Sequence, residues 1–233
     1  MAWVGDELWF ANTAFSCLSR RSDQFSFEPE WRPWFVDRLL PGDCCHLNGL
    51  AMEHGRPRYV TMMAESDEPA GWRPTKCTSG CLMEIDSGEV VSGGMAMPHS
   101  PRVYQDRVYV LNSGLGALET VDVKTGQRDT VATMPGYTRG LAFCGPFAFV
   151  GLSKIRETAV FGGVPIAENR DELKCGVCVV DLRSGQSVAY LELETGVEEV
   201  FAIDVLPGVR CASLTGPFPH QDGGKDVWVV PEP

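Results

Sequence analysis

The feature that most constrains this chain is that it repeats itself. Four segments share one pattern of apolar alternation, a tight turn, and further apolar alternation: Ala2 to Asn12, Gly49 to Val60, Arg102 to Asn112 and Gly140 to Val150. Gly, Asp or Pro supplies each turn, and aromatic or β-branched residues supply the flanks, as β-hairpins require. Three of these hairpins are followed by a strand that runs into an Asp-to-Gly turn. The turns are Asp86-Ser87-Gly88, Asp122-Val123-Lys124-Thr125-Gly126 and Asp181-Leu182-Arg183-Ser184-Gly185. Asp bonds turn amides, and Gly accepts positive φ. A further apolar run comes after each turn. Hairpin plus hairpin gives four antiparallel strands per unit.

Units of this kind at roughly 40 residues, with almost no helical periodicity, predict an all-β chain built as a β-propeller of four-stranded antiparallel blades. A β-sandwich of similar strand count is the rival architecture. The units start near residues 1, 47, 100, 139 and 200, and the whole of 1–233 reads as one domain. About five units leave two alternatives open, a closed ring or an incomplete one. The longest interruption, residues 154–174, reads as an inter-strand loop.

Composition narrows the function classes. The formal net charge is −11 and there is no Lys/Arg cluster, which excludes an obvious nucleic-acid-binding stripe. No apolar run reaches the roughly 18 residues of a membrane span, and no secretory leader is visible at the N-terminus. Nine cysteines without a leader point to a reduced, cytoplasmic protein. The pairs Cys77/Cys81 and Cys175/Cys178 have spacings that zinc sites use. They lie on apolar strand-like runs, however, and read as small core residues.

Met1-Ala2-Trp3-Val4-Gly5-Asp6, Cys45-His46-Leu47-Asn48-Gly49-Leu50-Ala51, Met97-Pro98-His99-Ser100-Pro101-Arg102, Tyr137-Thr138-Arg139-Gly140-Leu141-Ala142 and Gly151-Leu152-Ser153-Lys154-Ile155-Arg156-Glu157-Thr158 resemble the motifs of a conserved family of uncharacterised proteins. The family is a β-propeller-like domain of unknown function, sometimes joined to tetratricopeptide repeats. The resemblance implies the propeller fold but no reaction. Members carry further sequence upstream with more histidines, so the resemblance also implies that this chain is shortened at its N-terminus, with blades absent.

In a propeller the innermost strands line a channel, and the loops at its mouths form the usual site. The distinctive polar residues here stand at the starts of innermost strands: His46 and Asn48, His99 and Ser100, Arg139, and Glu198-Glu199. His46 and His99, read as equivalent repeat positions, are candidate acid–base groups, and Arg139 is a candidate clamp for an anion. Asn48, Ser100, Lys154 and Arg156 are candidate ligand-binding residues. His46, His99 and Glu199 form a candidate ligand set for a divalent transition metal, since imidazole and carboxylate both serve such ions. The loop opened by Lys154, Arg156 and Glu157 is a candidate lid, with Phe161-Gly162-Gly163-Val164-Pro165 as its hinge.

The leading expectation is therefore a small-molecule site at the channel, in one form metal-dependent. At fold level this resembles gluconolactonase-like propellers, which hold a divalent ion at the axis. The alternatives are a non-catalytic scaffold for a protein partner and carbohydrate binding through Trp31 and Trp34. Neither nucleic acid nor membrane is an expected partner.

Overall fold

Sixteen strands form four sheets in the computed structural model, which describes residues 1–155, 163–210 and 212. Each sheet holds four strands consecutive in sequence, paired antiparallel in a meander. Blade 1 contains β1 (Ala2–Val4), β2 (Glu7–Asn12), β3 (Cys17–Arg20) and β4 (Glu28–Trp31). Blade 2 contains β5 (Gly49–Glu53), β6 (Arg56–Met62), β7 (Gly80–Glu84) and β8 (Val90–Met95). Blade 3 contains β9 (Pro98–Tyr104), β10 (Arg107–Asn112), β11 (Ala117–Val121) and β12 (Arg128–Thr133). Blade 4 contains β13 (Tyr137–Cys144), β14 (Phe147–Ser153), β15 (Gly176–Asp181) and β16 (Gln186–Glu192). This is the propeller arrangement. The second hairpin of blade 1 was not legible in the sequence, because β3 is short and β4 carries Pro29.

The blades pack face to face, and period-two alternation assigns each side chain to one neighbour. On β6, Val60 and Met62 join a core with Leu18, Leu47 and Leu50, whereas Tyr59 points the other way. On β10, Val108 and Val110 share that second core with Tyr59 and Leu82. Tyr109 and Leu111 face a third core with Leu141, Val150 and Leu152. Both faces of the middle strands are thus buried, which explains their continuous apolar runs. No helix among the described residues is long and apolar enough to cross a membrane.

Among the described residues eight cysteines are free, and Cys45, Cys81, Cys175 and Cys178 are buried. Burial pushes the Cys81 thiol up to about 12, as expected of a core residue rather than a reactive one.

The innermost strands β1, β5, β9 and β13, together with residues 202–205, line a cavity of about 720 Å³. Residues 198–204 run beside β13: the Lys154 amide donates to the Glu198 carbonyl at 2.8 Å, and Gly140 abuts Ala202 and Ile203. At the end where β5, β9 and β13 begin, a separate apolar cluster caps the mouth. It combines Met63, Ala64 and Trp72 from the loop after β6 with Met97, Tyr137, Ile155, Val164 and Leu173. The loop of 154–174 supplies three of these eight residues, Ile155, Val164 and Leu173. Within it Pro165–Glu172 forms 3₁₀ turns, and the Cys77 thiol donates to the Gly163 carbonyl at 3.1 Å.

Candidate functional site

A strand-end hydroxyl that recurs after blades 1, 3 and 4 sets the register of the site. Thr13 Oγ1 donates to the Leu47 carbonyl at 2.8 Å, Ser113 Oγ to the Thr138 carbonyl at 2.6 Å, and Ser153 Oγ to the Val200 carbonyl at 3.2 Å. Leu47, Thr138 and Val200 are therefore equivalent. The residues before them form one row, His46, Tyr137 and Glu199, with Met97 in the blade-3 position. The residues after them form another row, Asn48, Arg139 and Phe201. His99 belongs to this second row, because it pairs with Leu111 as Arg139 pairs with Gly151. The sequence reading made His46 and His99 equivalent. The register makes Asn48 the counterpart of His99, and His46 stands two residues earlier.

His99 is only 8% exposed. Its Nδ1 lies 2.9 Å from both the Met97 carbonyl and Ser113 Oγ. A carbonyl only accepts, and the Ser113 hydrogen is committed to Thr138. Nδ1 therefore carries the proton and Nε2 keeps its lone pair. Burial, then the positive charge of Arg139, then His46, hold the His99 pKa well below the ordinary imidazole value. Its ring meets Tyr137 edge-on, with centroids 5.7 Å apart.

Arg139 lies over the rings of Tyr137 and Phe201, at 5.1 Å and 5.0 Å from their centroids. It faces Glu199 at 3.8 Å, in a pair whose side chains are 14% and 10% exposed. Burial raises the Tyr137 phenol above its usual range, while Arg139 beside it pulls the other way.

His46 takes a left-handed backbone, φ 52°, and turns its ring back toward Asp43. Nδ1 stands 2.9 Å and 3.0 Å from the two carboxylate oxygens. The Trp72 indole N–H donates to the same carboxylate at 3.1 Å. The Trp72 and His46 rings are in tilted contact, with centroids 4.4 Å apart and planes 40° from parallel.

His46, His99, Arg139 and Glu199 are thus gathered under the cap. Asn48 and Ser100 are spent on joining strands. Thr61 Oγ1 donates to Asn48 Oδ1 at 2.8 Å, Asn48 Nδ2 donates to the His46 carbonyl at 3.2 Å, and Ser100 Oγ accepts the Gly140 amide at 3.0 Å. The side chain of Lys154 is exposed. Arg156, with Glu157, Phe161 and Gly162 of the expected lid, lies outside the described residues. Among the described residues no three His, Cys, Asp or Glu side chains group as metal ligands. The indole of Trp31 donates to the Ile85 carbonyl at 3.1 Å and packs between blades 1 and 2; Trp34 is 72% exposed.

Asp43, Ser113, Tyr137 and Trp72 escaped the sequence reading. Tyr137 stands in a motif already singled out, and Asp43 is three residues before His46, so both were within reach. Trp72 sits in a long loop with no repeat to register it.

Among solved structures, the chain is similar to regucalcin, a calcium-binding protein from Agrobacterium tumefaciens strain C58. That match has 14% identity and a TM-score of 0.58, and it covers 87% of this chain and 62% of that one. It is also similar to a nidogen/laminin complex, with 12% identity, a TM-score of 0.46, and coverage of 83% and 64%. The computationally designed protein Ika8 matches with 11% identity, a TM-score of 0.45, and coverage of 86% and 50%. The chain spans half to two thirds of the length of these three proteins, and at these identities the likeness is one of fold. No curated protein matches. The family described as domain of unknown function (DUF4915) matches residues 1–214, and the chain belongs to it.

Proposed function

We propose that the capped mouth is a small-molecule site in which Arg139 receives an anionic group and His46 and His99 present lone pairs to the ligand. One observation carries this reading: both imidazoles commit Nδ1–H to an acceptor, which leaves both Nε2 atoms as acceptors. In the metal-dependent form of the reading a divalent transition ion would draw His46, His99 and Glu199 together, three side chains that do not group as ligands as they stand. Metal-binding histidines commonly donate their second nitrogen to a carboxylate or carbonyl, as these two do. Regucalcin, described as calcium-binding, supports the idea that this fold accommodates a metal. The imidazole donors here suit a transition ion better than calcium, which prefers oxygen.

A thermal-shift panel tests both forms. It uses zinc, cobalt and nickel ions and small carboxylates and phosphates, on the parent protein, Arg139→Gln, and the His46→Ala/His99→Ala double variant. A ligand at roughly 100 times its dissociation constant adds about 2.7 kcal/mol to stability. The expected result is stabilisation of the parent by a subset of the panel. Arg139→Gln loses the anion response and the double variant loses the metal response. A parent stabilised by nothing in the panel ends the reading.

A further inference from the structure

We infer that Asp43 and His46 form an acid–base pair that drives hydrolysis: His46 Nε2 accepts a proton from water, and Asp43 and Trp72 are its positioning residues. The inference rests on reading this mouth as a ligand site, and it separates the roles of the two histidines there.

Three observations converge on His46. First, both Asp43 oxygens lie within hydrogen-bond distance of Nδ1. A carboxylate only accepts, so the proton is fixed on Nδ1 and the lone pair on Nε2. Second, Trp72 holds the pair from the cap, donating to the carboxylate and packing its tilted ring against the imidazole. The ring is restrained both in its plane and across it. Third, Asp43 and His46 both adopt left-handed backbone, φ 48° and 52°. Such conformations persist where the surrounding structure over-determines them, and they cluster at functional sites.

Accessibility decides between the histidines. The His46 side chain is 24% exposed, whereas the His99 ring is enclosed. His46 meets the attacking water, whereas His99 only presents its lone pair to the ligand from the enclosed wall. The nucleophile is water, because the neighbouring thiol of Cys45 is pushed up to about 11 by burial and stays protonated at neutral pH.

The probe is p-nitrophenyl acetate. A water oxygen bonds to the acetyl carbon while one water proton passes to His46 Nε2. The bond to the nitrophenyl oxygen breaks, and nitrophenolate leaves with the electron pair. Acetic acid is released, and the imidazolium returns its proton to solvent. Rates are compared for the parent, His46→Asn and Asp43→Asn. Asn is chosen because it tolerates left-handed backbone. Both variants are expected to lose about 100-fold of the protein-dependent rate, the low end of general-base catalysis. Nitrogen-15 NMR of the imidazoles supplies the second readout. The parent is expected to show His46 protonated on Nδ1, and Asp43→Asn to move the proton to Nε2. A merely structural Asp43 would leave that tautomer unchanged.

Equal hydrolysis by the parent and His46→Asn overturns the inference, as does an Nε2–H tautomer in the parent. A protein that responds to the anion and metal panel but fails here loses only the acid–base pair. One that passes here but responds to nothing in the panel loses the Arg139 and metal reading instead.

Discussion

His99 ties the chemistry of one residue to the stability of the whole chain. Its folded-state pKa is lowered, chiefly by burial, so below the ordinary imidazole value the unfolded chain binds a proton that the folded chain refuses. Stability is then full above that value and falls as pH drops through it, with a slope approaching about 1.4 kcal/mol per pH unit. His99→Gln is expected to flatten this slope in urea titrations between pH 7 and pH 5. An unchanged slope would place the acid sensitivity elsewhere. Polar residues at strand starts were legible from sequence, and four of them do meet. Their pairing was not legible, because which nitrogen is protonated depends on how the local backbone turns Asp43 to His46 and the Met97 carbonyl to His99, and on Ser113 of the neighbouring strand.

The recurring element is a strand-end hydroxyl that clamps the next blade. Ser113 is its most heavily used instance, donating to Thr138 and accepting from His99 while fully buried. Ser113→Ala leaves the Thr138 carbonyl without this donor and costs about 1–3 kcal/mol. Chemical denaturation checks this. Ser113→Thr, which restores the hydroxyl, is expected to recover more stability than Ser113→Val, which has the same bulk without it. The hydroxyls were present in the repeat, at Thr13, Ser113 and Ser153. They were unreadable as clamps because their partners lie in the next blade.

The molecule is a row of blades, each touching mainly its neighbours, so stability is expected to vary along the row. Blade 3 contributes to the cores on both of its sides. Blade 1 shares one core, with blade 2, and its β2 has no fully buried residue. Hydrogen exchange read by mass spectrometry is expected to show the strongest protection in β10 and β14 and faster exchange in β1 and β2. Uniform protection across all four blades would show that they unfold as a single unit. Blade order follows from sequence order alone. The identity of the capped mouth does not, since the cap joins Met63, Ala64 and Trp72 to Ile155, Val164 and Leu173.

By itself the sequence determined the class of fold and singled out the strand starts where the proposed site lies. Strand alternation, Asp-to-Gly turns and hairpin lengths are local chemistry, and local chemistry survives as a pattern in one dimension. Tertiary structure alone decided the identity of the working groups. The His46 imidazole points at Asp43 because the backbone at both residues is left-handed, and it is held there by an indole from a loop after β6. His99 is neutral because three separate segments bury it beside Arg139. The Trp72 contact and the enclosure of His99 join segments distant in sequence, and no spacing along the chain encodes them.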